Sequence, residues 1–87
     1  MDQPEPLRDP DHDRLWIALR SAVPLGALVE IVKEWKAAGS SATEAQRRMT
    51  AFMIEVRRDG RPDEDDPILE TLDFIVGYCV AEMRLFP

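Results

Sequence analysis

This chain predicts an all-α fold, a compact antiparallel four-helix bundle, and three observations carry that prediction. Apolar residues recur at three- and four-residue spacing in four separate segments. No run shows the strict alternation of a half-buried strand. Short turn-forming stretches around Val23-Pro24, Gly39-Ser40 and Asp59–Pro67 separate the segments, which suits antiparallel neighbours. The 87 residues suffice for one domain, and an apolar fraction of 45% is enough to give it a core.

Residues 1–10 carry Pro4, Pro6 and Pro10 among acidic and polar residues, so no regular hydrogen-bonded element should run through them. They are expected to form a flexible tail ahead of a single helical domain, residues 11–87. The first helix should span Asp11 to about Ala22. Asp11 and Asp13 are suitable N-caps, and Leu15, Trp16, Leu19, Ala22 and Val23 make one stripe. Pro24 disfavours helical geometry at Val23. Ser21 then stands where it would cap a second helix that has Pro24 in its first turn.

The second helix, Pro24 to about Ala38, should bury Leu25, Leu28, Val29, Val32 and Trp35 and wet Glu30, Lys33, Glu34 and Lys36. Gly26 costs about 1 kcal/mol against alanine and loosens the first turn. Gly39 is a natural left-handed terminator. Ser41-Ala42-Thr43-Glu44 is a capping box for a third helix, which runs to about Arg58 on a stripe of Ala45, Met49, Phe52, Met53 and Val56. Gly60 and Pro62 end it.

Asp65 or Asp66 should cap the fourth helix, with Pro67 in its first turn. This is the most apolar segment. Ile68, Leu69, Leu72, Ile75, Val76 and Cys79 are expected to point inward, with Phe74 and Val80 widening the surface. Gly77 permits a bend or a close neighbour. The helix should fade near Met83, leaving Leu85 and Phe86 to fold back or stay exposed. The stretch from Asp59 to Phe86, an acidic loop leading into the core helix, organises the chain.

Catalysis and metal binding find little support. The single histidine, His12, lies between Asp11 and Asp13 beside the tail, where an exposed imidazole is poorly held for general-base work. Phosphate-loop and hydrolase motifs are absent, so the chain is expected not to be an enzyme. His12 and Cys79 share no metal-site spacing, and Asp63–Asp66 lacks the calcium-loop pattern, so no metal or other cofactor is expected. The lone cysteine fits a reducing compartment. With no signal peptide and no spanning run in the sequence, a cytoplasmic location is expected.

The net charge of −6 opposes phosphate backbones, so neither direct nucleic-acid binding nor a membrane partner is expected. Arg47, Arg48, Arg57 and Arg58 on the third helix, after the Gly39 turn, imitate a helix-turn-helix. The acidic flanks argue against it, and Arg57, Arg58 and Arg61 are better matched to Asp59 and Asp63–Asp66. What remains is docking onto a basic protein. The candidate partner-binding residues are Asp63, Glu64, Asp65, Asp66, Glu70 and Asp73. The spacing of Asp66, Glu70 and Asp73 puts them on one helix face. Tyr78 is the candidate apolar anchor, with Trp16 and Phe86 as others.

The acidic loop followed by Ile68-Leu69-Glu70-Thr71-Leu72-Asp73-Phe74-Ile75-Val76-Gly77-Tyr78-Cys79, together with the Gly39-Ser40 turn, resembles small immunity proteins of bacterial polymorphic toxin systems. The resemblance covers roughly residues 20–87 and departs from the nuclease-colicin immunity signature. It implies a cytoplasmic, acidic, all-helical antitoxin-type inhibitor that neutralises a basic toxin or nuclease domain. Two other readings stand beside it. One is a phage-style inhibitor that mimics nucleic-acid charge. The other is a self-associating helical module, a homodimer through Met83, Leu85 and Phe86.

Overall fold

Apolar spacing sets where the helices form, and long-range contacts trim their ends. The computed structural model describes residues 9–77 together with Leu85. Within them lie four α-helices: α1 His12–Leu19, α2 Pro24–Ala37, α3 Ala42–Asp59 and α4 Asp66–Val76. No strand occurs among the described residues. The fold is therefore the all-α four-helix bundle expected from the sequence. Helix α2 is central and packs on α1, α3 and α4, while α3 and α4 form the other close pair.

The core is built from one stripe per helix. Leu15 and Leu19 of α1 meet Leu28, Ile31, Val32 and Trp35 of α2, Ala45, Met49, Phe52 and Val56 of α3, and Ile68 and Ile75 of α4. Burying a Val, Leu, Ile, Phe or Met side chain contributes about 1.5–3 kcal/mol. Leu28, Val32, Met49, Val56 and Ile68 are wholly sealed. The α3 stripe matches its sequence pattern, with Met53 packed at its margin. In α2 the buried face is rotated slightly. Ile31 is inside, whereas Val29 and Leu25 are only partly covered.

The ends differ more. Helix α1 stops at Leu19, short of Ala22, because Ser21 turns back: its Oγ and its amide both donate to the Ala18 carbonyl, at 2.7 and 3.2 Å. Ser21 thus closes α1 instead of capping α2. The α2 N-cap is Val23, with no side-chain bond, and Pro24 starts the helix. Gly39 adopts φ +103°, the left-handed geometry its sequence position called for. At Ser41 the accepting half of the capping box forms, Oγ taking the Glu44 amide at 3.1 Å.

Helix α4 ends at Val76, where Gly77 turns left-handed with φ 89°. The helix expected to continue to Met83 therefore ends at Gly77, which acts as its left-handed terminator. Leu69 and Val76, expected inside, are 40% and 38% exposed, and Thr71 takes the inner position instead. The Thr71 hydroxyl donates to the Pro67 carbonyl at 2.8 Å, so its burial leaves no polar atom unpaired. Leu85 folds back: it is buried, and its amide donates to the Phe74 carbonyl at 3.0 Å. That removes Leu85 from any exposed dimer surface. Cys79, Val80, Met83 and Phe86 lie outside the described residues.

Candidate functional site: the acidic face of α4 and the loop before it

The acids chosen from the sequence divide into two groups. Glu64 and Asp65 are turned toward the protein, with side chains 9% and 13% exposed. Glu64 accepts from Arg20 Nε at 2.8 Å and from the Arg61 amide at 2.9 Å, and its second ion pair is with the Arg61 guanidinium at 3.3 Å. These donors, Arg20 first, hold its carboxyl down to about 2. Asp65 accepts from Arg57 Nε at 2.6 Å. Although Asp65 stands at the N-cap of α4, its side chain makes no cap bond, because Arg57 has taken the carboxylate.

Loop shape follows from these pairs. Gly60 sits so close to Glu64 Oε1 and to the Val56 carbonyl that a Cβ there would lie 2.7 Å from each. Its backbone is extended rather than left-handed, so the glycine is needed for space and not for φ. Asp63 supplies the left-handed residue, with φ 63°. Arg58 pairs with Asp59 at 3.1 Å. The expected pairing of Arg57, Arg58 and Arg61 with the loop acids is thus observed. The C-cap of α1 adds Arg20, a partner 44 residues away from Glu64 in sequence.

The second group faces out. Asp63, Asp66, Glu70 and Asp73 are exposed, and none is in an ion pair among the described residues. Asp66, Glu70 and Asp73 line the outer face of α4 as their spacing requires. Leu69 and Val76 share that face, so it is acidic with two apolar side chains set into it. Tyr78, the expected anchor, lies outside the described residues. The open patch is therefore smaller than the six acids expected: Glu64 and Asp65 belong to the fold.

A second constellation lies where sequence rules gave no signal. Asp9, Asp11 and Arg48 form a clasp over Trp35. Arg48 donates to both Asp9 oxygens, at 2.6 and 2.7 Å, and to Asp11 at 3.3 Å. Its guanidinium lies 3.8 Å above the Trp35 ring. The Trp35 indole N–H donates to Asp11 at 2.6 Å. Arg48, aided by the Asp11 amide, holds the Asp9 carboxyl below the usual range despite partial burial. Asp9, expected in the flexible tail, is pinned to α3. Asp11, at the N-cap of α1, makes no cap bond because Trp35, Arg48 and Arg14 use its carboxylate.

Next to the clasp, α1 and α3 enclose a cleft of about 480 Å³, lined in part by His12, Leu15, Arg47, Phe52 and Glu55. Glu55 reaches Trp16 Nε1 at 2.6 Å and His12 Nε2 at 2.5 Å. Trp16 and Phe52 meet edge to face at 5.4 Å, and Arg20 lies over the Trp16 ring at 4.6 Å. His12, expected to be exposed, is a half-buried bridge with a side chain only 17% exposed. Trp16 is held inside the structure and is not a free anchor.

Among the described residues, no group of three or more His, Cys, Asp or Glu is placed to hold a metal. No described helix is long and apolar enough to cross a membrane. Comparison with protein-family models, curated proteins and solved structures returned no match.

Proposed function

We propose that this protein is a non-catalytic inhibitor of the immunity or antitoxin type, acting in the cytoplasm by laying the outer face of α4 on a basic toxin or nuclease-like surface. The observation that carries the reading is the composition of that face. Asp66, Glu70 and Asp73 are exposed and unneutralised by any described base, while Leu69 and Val76 lie exposed among them. Acids in this position speed encounter with a basic partner and suppress wrong ones. The two apolar side chains supply area that loses water on contact. Asp63, at the left-handed corner of the loop, extends the acidic surface.

The fold suits such a role. Arg20, Arg57 and Arg61 lock the loop ahead of α4, so the face is presented on a rigid support and little ordering is needed on binding. Inhibition would be stoichiometric, with the partner's basic groove covered.

The test is capture of partners by the intact chain at low and high salt, followed by measurement of the captured protein's activity. One basic partner bound at 1:1 and inhibited is expected. Its association should slow steeply as ionic strength passes about 0.15 M, where charges are screened beyond roughly 8 Å. The Asp66→Lys/Asp73→Lys variant should lose it. Equal binding by that variant would remove α4 from the interface. Displacement of the chain by DNA from a DNA-binding partner would favour charge mimicry of nucleic acid instead.

A further inference from the structure

We propose that His12 is a proton-operated latch between α1 and α3. Its two ring nitrogens each face a carboxylate oxygen: Nδ1 lies 3.2 Å from Asp13 and Nε2 lies 2.5 Å from Glu55. An ionised carboxylate only accepts. A neutral imidazole has one N–H and one lone pair, so one of these contacts would set a lone pair against an anionic oxygen. The imidazolium satisfies both.

The charges around the ring favour the same state. Asp9, Asp11 and Asp13 come from its own turn, and α3 contributes Glu55, Arg47 and Arg48. Arg48 is committed to Asp9 and Asp11. Helix α2 reaches this corner through the uncharged indole of Trp35. Among the described residues, four carboxylates thus stand against two guanidiniums around the ring, and Arg48 is paired with two of the four.

The latch matters because the α1–α3 seam is open beside His12 and Glu55. The two helices flank the 480 Å³ cleft, and Glu55 bridges it to His12 and Trp16 while Trp16 meets Phe52 edge-on. The same Glu55 oxygen takes His12 and Trp16, one helical turn apart on α1. Loss of the His12 proton weakens this joint and loosens α1 over the apolar floor of Leu15 and Phe52. The imidazolium is favoured by folding, so the latch contributes stability below the unfolded imidazole value of about 6.5. That contribution is lost as pH rises through the folded value.

His12 is the chain's single histidine, so its ring can be followed without ambiguity. Long-range nitrogen–proton NMR spectra of the intact protein at pH 7 should show both ring nitrogens protonated. In Glu55→Gln the ring titration should move down by about one pH unit. The Trp16 indole N–H resonance should shift through the same pH transition as the ring. A neutral tautomer at pH 7, or a Trp16 resonance indifferent to the ring, would overturn the latch. Should Glu55→Gln not fold, Asp13→Asn replaces it. The Asp13 side chain is 93% exposed, and its loss should lower the imidazolium fraction by a smaller amount. An unchanged fraction in the variant examined would also overturn it.

Discussion

Arg20, at the C-cap of α1, donates to Glu64 of the α3–α4 loop at 2.8 Å, joining an acid from the loop to a helix end 44 residues earlier. Arg20 also stacks over Trp16, so the guanidinium is oriented before it meets the carboxylate. The Glu64 carboxyl is held down to about 2, from an ordinary 4.5. A depressed carboxyl contributes stability above its unfolded value and loses it as pH falls through the folded one. Thermal melts of the parent chain should therefore fall steeply between about pH 4.5 and 2. Glu64→Gln should start from a lower melting temperature at pH 7 and show a flatter decline across that window. Equal slopes for the two proteins would show that Glu64 does not govern acid stability.

Two glycines should respond with opposite signs. At Gly60 an added Cβ would lie 2.7 Å from Glu64 Oε1 and from the Val56 carbonyl. Glu64 can move only by giving up Arg20 or Arg61, and the carbonyl belongs to α3. Gly60→Ala should cost about 1–3 kcal/mol, as overpacking does. Gly26 lies exposed in the first turn of α2 with nothing within 4 Å of a new Cβ. Gly26→Ala should stabilise by about 0.4–1 kcal/mol through a less free unfolded chain. Urea midpoints measured on the two variants decide both signs.

Local rules made much of this fold legible. The Ser41 cap, the Gly39 terminator, the α3 stripe and the ion pairs of Arg57, Arg58 and Arg61 all lie within a few residues of the features that signal them. So do the positions of Asp66, Glu70 and Asp73, because a helix of any packing puts them on one face. What stayed hidden depends on residues distant in sequence. Asp11 has the residue type and position of an N-cap, yet Trp35 and Arg48, 24 and 37 residues away, compete for its carboxylate. Glu64 looked like part of an open patch until Arg20 was brought beside it. In α4 the apolar residues are too many to show which arc faces inward. The placement of α2 and α3 selects Thr71 over Leu69.

The clasp at Trp35 offers a test of polar burial. Trp35 is 4% exposed, and its N–H is one of the donors that satisfy Asp11. Trp35→Phe keeps a ring beneath Arg48 and removes only the donor and part of the indole. The half-buried Asp11 carboxylate then loses a charge-assisted bond, which should cost about 1.5–3 kcal/mol. Arg48→Lys should also destabilise, because an ammonium cannot donate in parallel to both Asp9 oxygens and lie flat on the indole. Denaturant unfolding of the two variants measures both effects. A Trp35→Phe protein as stable as the parent would mean that water replaces the indole at no cost.

The sharpest separation between fold and docking surface lies among the acids themselves. Asp66, Glu70 and Asp73 are exposed and make no ion pair with a described base, so their charges do little for the folded state. Reversing Asp66 and Asp73 to lysine should leave stability within about 0.5 kcal/mol of the parent, the usual range for surface substitutions. It removes mutual repulsion along α4, so a slight gain is the expected sign. Asp65→Lys should behave differently. It places an ammonium against Arg57, whose Nε now lies 2.6 Å from the carboxylate, and it should loosen the start of α4. Thermal melts read the stability of each variant, and partner association rates at low and high salt read the docking. Loss of association in the stable double variant assigns those charges to binding. Retained association in that variant, with loss only in Asp65→Lys, would move the interface from the face of α4 to the loop.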